Sequence, residues 1–430
     1  MSLLSSLLKS KKTVDTVSNS PTVKSEPITV EKLRELIPIR NFSQEKLEAF
    51  STDLKSEMYP KGSVLFSLGE STQSALYLLN GVISLSDDVG NSYEIVDGTA
   101  KSRFPLSSGA KHTTTATAET DVSILRVSEK IMAGRSVLPT HFAQLVIPDE
   151  LVDNPLLQSF ADYYVTEKLE IPTLPDVAIK LRNAIQQDVG INDAAKIIQL
   201  DPVMSAKLVE VANCPLYVCP TPVKSCQDAI GRIGLNATRN LVISLSIHQI
   251  FKSHSPQIRK HLDKVWKQSV YISTISFVLA KITKQANPEE ALLAGLICDL
   301  GSVPFLYFAD KLPKDYYTET DLVEIMACVK GPIGCKILTD WGFPDEFIKI
   351  PVYSGDWYQN TSKELNLTDI VVLSRLHSEI GNSDKTNLPI ISSIPAASKL
   401  KDYSLSPELS LNLLHNAKQQ INDALKAFSI

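Results

Sequence analysis

The chain has 430 residues, 43% hydrophobic and 21% charged, with 43 basic and 48 acidic side chains for a net charge of −5. That length exceeds one typical core and predicts two domains. The acidic balance, without any dense Lys/Arg run, gives no electrostatic reason to expect a nucleic-acid partner.

The six cysteines, Cys214, Cys219, Cys226, Cys298, Cys328 and Cys335, include no Cys-x-x-Cys pair and have no histidine at zinc-finger spacing. They read as reduced thiols packed in apolar helices, and the cytoplasm is the expected compartment. No apolar run reads as long enough to span a bilayer. Met1 to Leu8 lacks the charge order and cleavage site of a signal peptide and reads as a frayed tail, with a membrane-touching or partner-docking helix as the alternative.

In chain order, residues 1–27 read as a flexible tail, rich in Ser, Thr, Lys and Pro. Val30–Ile37 and Ser43–Leu54 then predict short helices, with Ser43 as an N-cap. From Tyr59 to Val127 the pattern changes to short strands at Val64–Phe66, Ala75–Leu79, Val82–Leu85, Thr113–Ala118 and Val122–Val127. These are divided by Pro60, Gly62, Gly69 and the turn pair Asn80-Gly81, and predict a small β-barrel or jelly roll.

After about residue 139 the periodicity becomes helical. Helices are expected over 172–186, over a segment capped by Asn192, and behind the Asp201-Pro202 cap. Others are expected over 266–282, 289–297, 322–338, 344–348 and 407–428. Asn213 ends a helix, where its side chain tolerates left-handed geometry; Trp341 and Phe343 read as core anchors. Residues 382–400, rich in Ser and Pro, read as a long loop. The fold class is therefore α+β with several domains: a β domain over 28–138, a linker over 139–158 and an all-helical domain over 159–430.

Several ordered motifs carry a family resemblance. Ile171-Pro-Thr-Leu-Pro-Asp-Val-Ala, Ile198-Gln-Leu-Asp-Pro-Val-Met, Val211-Ala-Asn213, Asp228-Ala-Ile-Gly-Arg-Ile-Gly-Leu235, Gly295-Leu-Ile-Cys-Asp-Leu-Gly301 and Trp341-Gly-Phe-Pro344 together resemble the HDOD domain family. The resemblance implies an all-helical fold related to the HD metal-dependent phosphohydrolases. Catalysis in that superfamily needs histidines and aspartates around one or two metal ions, which generate a hydroxide nucleophile. No histidine occurs here between His261 and His377. The resemblance places Gln268, Cys298, Lys330, Tyr353, Ser354 and Arg375 where ligands are expected, and only Asp299 survives. The expectation is a vestigial site with no metal, no cofactor and no catalytic residue. His248, His254 and His261 read as ordinary histidines. Lys330 is expected to set its ammonium against a partly buried Asp299; the alternative is a Lys330 that reaches solvent and an Asp299 that bonds backbone N–H groups.

Lys61-Gly62-Ser63-Val-Leu-Phe66, Gly69-Glu70 and Tyr77-Leu-Leu-Asn-Gly81-Val resemble the first strands of the cyclic-nucleotide-binding fold. By that resemblance the phosphate cassette falls at Pro105 and Leu106, and its arginine at His112. The Gly-Glu helix start and the Arg fork that would neutralise a phosphate are absent. Lys111 and His112 would make only a weak anion site, and an ordinary polar loop is the expected reading. The function that follows is a non-catalytic, bacterial, cytoplasmic regulator with protein partners, possible homodimerisation and no nucleic acid; the alternative is a diverged phosphohydrolase with a relocated metal site.

Overall fold

The computed structural model describes residues 27–428 except 73, 109–110, 129–150, 152, 167–168, 170–171, 188, 215–216, 218–220, 252–254, 314–315, 381–387, 402–410, 412–413 and 415–416. The N-terminal tail, most of the 139–158 linker, Cys219 and His254 thus lie outside the described residues.

Two short helices, α1 (Val30–Glu35) and α2 (Gln44–Asp53), precede seven strands. These are β1 (Ser56–Tyr59), β2 (Val64–Phe66), β3 (Ser74–Asn80), β4 (Val82–Ser86), β5 (Ser92–Val96), β6 (Thr115–Ala118) and β7 (Val122–Ser128). They form two antiparallel sheets, ordered β1-β7-β3 and β2-β6-β4-β5. The period-two pattern of β3 decides its packing. Leu76 and Leu78 enter the core with Phe66, Ile83, Leu85, Ile95 and Ile124. Ala75 and Tyr77 face the opposite way, against Leu33, Leu36, Ile39 and Leu47. Asn80-Gly81 is not a hairpin turn, because β3 and β4 belong to different sheets. Gly81 has φ +96°, and a Cβ there would lie 2.6 Å from the Asp121 carbonyl oxygen, so the crossing needs glycine.

The helical region follows as α3 (Pro155–Val165), α4 (Asp176–Gln186), α5 (Ile191–Ile198), α6 (Pro202–Ala212), α7 (Cys226–Ile233), α8 (Leu235–Ile247), α9 (Pro256–Thr283), α10 (Pro288–Ile297), α11 (Ser302–Asp310), α12 (Glu319–Asp340), α13 (Asp345–Ile348), α14 (Ile350–Tyr353), α15 (Leu367–Glu379), α16 (Pro395–Ser398) and α17 (Lys418–Phe428). The Asp201-Pro202 cap is present: Asp201 accepts from the Val203 and Met204 amides at 3.0 Å each, with Pro202 in the first turn. Trp341 and Phe343 are buried, and the Trp341 indole donates to the Pro172 carbonyl at 2.9 Å.

Four expectations change. The cap of α5 is Gly190, and Asn192 lies inside the helix. Asn213 keeps right-handed geometry (φ −95°); its side chain exchanges two 2.8 Å bonds with the Val223 backbone, which holds the turn without a left-handed residue. Residues 388–400 are a buried segment rather than a loop. The last helix starts at Lys418, residues 402–410 lying outside the described set. In addition, Pro288–Asp310 is 23 residues long and contains an 18-residue window of mean hydropathy 1.7, enough by composition to cross a membrane, but 94% of that window is buried and the segment is broken between α10 and α11.

Residues 388–394 seat the helical region on the β region. Ile390 belongs to the same apolar cluster as Phe66, Leu85 and Leu106 of the β core. Tyr93 Oη lies 2.6 Å from Ser392 Oγ, Thr113 donates to the Ser392 carbonyl at 2.8 Å, Lys101 donates to the Leu388 carbonyl at 3.1 Å, and Ser108 bonds the Ser393 carbonyl.

Candidate functional site

The chain turns between α10 and α11 at residues 298–301, and close packing puts that turn against α12. A Cβ on Gly301 would lie 1.9 Å from the Lys330 carbonyl oxygen, and one on Gly334 would lie 2.7 Å from Pro351 Cβ. Glycine at 301 therefore lets the turn carrying Asp299 reach the helix carrying Lys330. Helix α15 brings Arg375 to the same point from the other side.

The three side chains converge. Arg375 forks onto Asp299, Nη2 to Oδ1 at 2.9 Å and Nη1 to Oδ2 at 3.2 Å. Lys330 Nζ lies 2.7 Å from Asp299 Oδ1. Arg375 Nη2 also meets Cys298 Sγ at 3.1 Å, and the thiol donates to the Gly295 carbonyl at 3.0 Å. Asp299 is 4% and Arg375 5% exposed, so the pair sits in a weakly screened interior. Burial alone would raise the Asp299 carboxyl, but Arg375 and then Lys330 overcome it and hold the group well below the carboxylate range. Burial, assisted by the Asp299 charge, pushes the Cys298 thiol up to about 12, so the sulfur stays protonated.

Of the positions expected to form a vestigial centre, Cys298, Asp299, Lys330 and Arg375 are brought together. Gln268 is half-buried on α9 and is not among their hydrogen-bond partners, while Ser354 is fully buried with its hydroxyl unpartnered. The role of Arg375 was not anticipated. Its signal was there: a guanidinium within Val371-Val372-Leu373-Ser-Arg375-Leu376 is a charge on an apolar helix, which demands a buried acid.

This donor set does not fit a divalent metal. Both Asp299 oxygens are committed to cations, the nearest thiol is neutral, and among the described residues no three His, Cys, Asp or Glu side chains gather as ligands.

The β-domain positions Pro105, Leu106 and His112 are all buried. Leu106 is fully buried and its amide donates to the Leu76 carbonyl at 2.7 Å; Pro105 is buried beside it. His112 stacks on Phe66 with ring centroids 4.0 Å apart, and its Nδ1 lies 2.8 Å from Ser107 Oγ. Burial lowers its pKa, so the ring favours the neutral form and is no substitute for an arginine.

The HDOD domain family matches residues 171–355. An uncharacterized protein of Treponema pallidum (strain Nichols) is 28% identical over 189 residues, 44% of this chain and 34% of that protein, so the chain spans about a third of that relative's length. A protein of Shewanella amazonensis SB2B, assigned as a metal-dependent phosphohydrolase, superposes with a TM-score of 0.52 at 23% identity, covering 64% of this chain and 98% of that one. The N-terminal part is similar to a protein of Geobacter metallireducens GS-15 assigned as cyclic nucleotide-binding, at 20% identity over 25% of this chain and 80% of that one, with a TM-score of 0.21. Residues 171–355 are thus matched as an HDOD domain, with a two-sheet β region on their N-terminal side.

Proposed function

We propose that this chain is a non-catalytic signal-transduction protein of the bacterial cytoplasm. A β domain over 28–138 receives an input, a linker over 139–158 follows, and the helical domain over 159–430 presents a surface to protein partners. The observation that carries the reading is the Asp299–Arg375–Lys330 cluster, in which side-chain cations stand against the carboxylate that a phosphohydrolase would give to a metal. Two positive groups within hydrogen-bond reach repel a divalent ion and leave no open ligand position for an activated water. The seating of residues 388–394 in the β domain supports the regulatory half: it is a buried contact that joins the two domains.

The test is elemental analysis of the purified protein after incubation with Mn, Fe and Ni salts, together with assays on bis(p-nitrophenyl) phosphate and cyclic dinucleotides. The expected result is far less than one bound metal per chain and no turnover above buffer. One or more metal ions per chain, with hydrolysis that EDTA abolishes, would overturn the reading in favour of a diverged phosphohydrolase.

A further inference from the structure

Beside the seated segment, the two domains enclose a cleft of about 1050 Å³. Its β wall includes Lys111 and Asp88; its helical wall includes Lys284 at the end of α9, Lys363, Glu364, Lys399 and Lys401. Lys399 is committed, with its ammonium 2.9 Å from both Asp369 oxygens. Lys111, Lys284, Lys363 and Lys401 make no ion pair among the described residues. Four uncommitted cations against two carboxylates give the cleft a positive surplus in a chain whose net charge is −5.

Both walls are built. Gln285 donates to the Lys399 carbonyl and accepts from the Lys401 amide, each at 3.0 Å, which ties residues 399–401 to the end of α9. On the β side, Gly69 and His112 pair at 2.8 Å and His112 and Glu70 at 2.9 Å, which fixes the backbone next to Lys111. Lys284 is the only non-glycine residue with positive φ (+54°) among the described residues. It closes α9 in left-handed geometry, a position that glycine fills at no steric cost. A lysine there keeps a cation on the rim against the local backbone preference, and such outliers concentrate where ligands bind.

We propose that this interdomain cleft binds a small polyanion carrying two or more phosphate groups. The volume is at the upper end of small-ligand sites, the excess charge matches a multivalent anion, and lysine ammoniums serve as point-charge partners for phosphate oxygens. The site is distinct from the apolar core between the two sheets, to which Ile390 belongs. A ligand here touches both domains at once and would bias how they sit on one another.

The experiment is titration calorimetry on the full chain at low salt, with sodium tripolyphosphate and, separately, ATP. Saturable binding that weakens with added salt is expected. Affinity for ATP well above that for tripolyphosphate assigns the ligand to nucleotides; equal affinities assign it to the phosphate chain alone. K284G and K401Q should each weaken binding by roughly tenfold, the loss of one charge-assisted contact. K284G should leave the melting temperature unchanged or raised, because glycine suits the left-handed position, which separates lost binding from lost folding. K264Q, on the exposed basic face of α9, is the control and should bind as the parent does. No saturable heat with either probe, or an equal loss in K264Q and K284G, overturns the proposal.

Discussion

Arg375 and Asp299 lie 76 residues apart in sequence and form a two-pronged ion pair inside the helical domain, with Lys330 as a second cation on one of the same carboxylate oxygens. Removing one member of such a buried pair leaves an uncompensated charge. Arg375→Met is expected to destabilise the fold by about 3–5 kcal/mol in urea unfolding. Arg375→Met combined with Asp299→Leu should recover a large part of that loss. Additivity of the two single changes would contradict the pairing. Lys330→Met should cost less than Arg375→Met, because the Lys330 side chain retains 23% of its exposure whereas that of Arg375 retains 6%.

The same carboxylate makes stability fall in acid. Asp299 has a folded-state pKa held far below its unfolded value by Arg375 and Lys330, against the opposing effect of burial. Its contribution is fully present above the unfolded value of about 4 and is lost as pH falls towards the depressed folded value. Unfolding free energies measured between pH 6 and pH 2.5 should show a steeper decline in the parent than in Asp299→Asn. Parallel curves would refute this assignment.

Gly301→Ala places a methyl group where the Lys330 carbonyl now sits, so α11 and α12 must separate. A loss of several kcal/mol or failure to fold is expected, as for a severely overpacked helix contact. Gly231→Ala, where a Cβ meets nothing within 4 Å, is the matched control and should melt near the parent temperature. Equal melting points for the two variants would be inconsistent with the close approach.

Ile390→Ala should cost about 2–5 kcal/mol, the range for truncating a fully packed aliphatic side chain. Hydrogen exchange should speed up in the β domain around Leu85, Ile95 and Leu106, not only around residue 390. Faster exchange confined to residues 388–394 would show that Ile390 is not part of that core.

Cyclic AMP and cyclic GMP are expected to give no saturable binding in calorimetry. The Arg fork is missing, His112 is stacked on Phe66, and Ile390 is part of the apolar core between the sheets. An absent bidentate arginine alone costs on the order of 2–4 kcal/mol, or roughly ten- to a thousandfold in affinity. A low-micromolar dissociation constant would refute the expectation.

The parts of this architecture that sequence reveals are those written in local chemistry. Asp201-Pro202 announces a helix start, and the short apolar run Ala75–Leu79 announces a strand, both of whose faces the structure then buries. The need of Asp299 for a cation is also legible, because it is framed by Leu296, Ile297 and Leu300, and the family resemblance points to Lys330. Arg375 is harder: which acid a buried arginine meets depends on how α15 packs against the turn at Asp299, and no local pattern encodes that. Residues 388–400 mislead for a different reason. Ser392 and Ser393 look like surface residues, yet Tyr93 meets the Ser392 hydroxyl from another domain, Thr113 and Ser108 donate to the two backbone carbonyls, and the Ser393 hydroxyl donates to the Ile390 carbonyl. Composition reports polarity and is blind to who satisfies it.

The insertion of Ile390 also has a consequence for how the molecule is made. Translation delivers β7 some 260 residues before Ile390; at about 5–20 residues per second that interval is roughly 13–50 s. Throughout it the β domain lacks one apolar member of its core cluster, Ile390, and the polar partners that residues 388–393 supply to Tyr93, Lys101, Ser108 and Thr113. The first domain to emerge is thus among the last to be completed, and any stalled or clipped chain that ends before residue 390 advertises its own incompleteness.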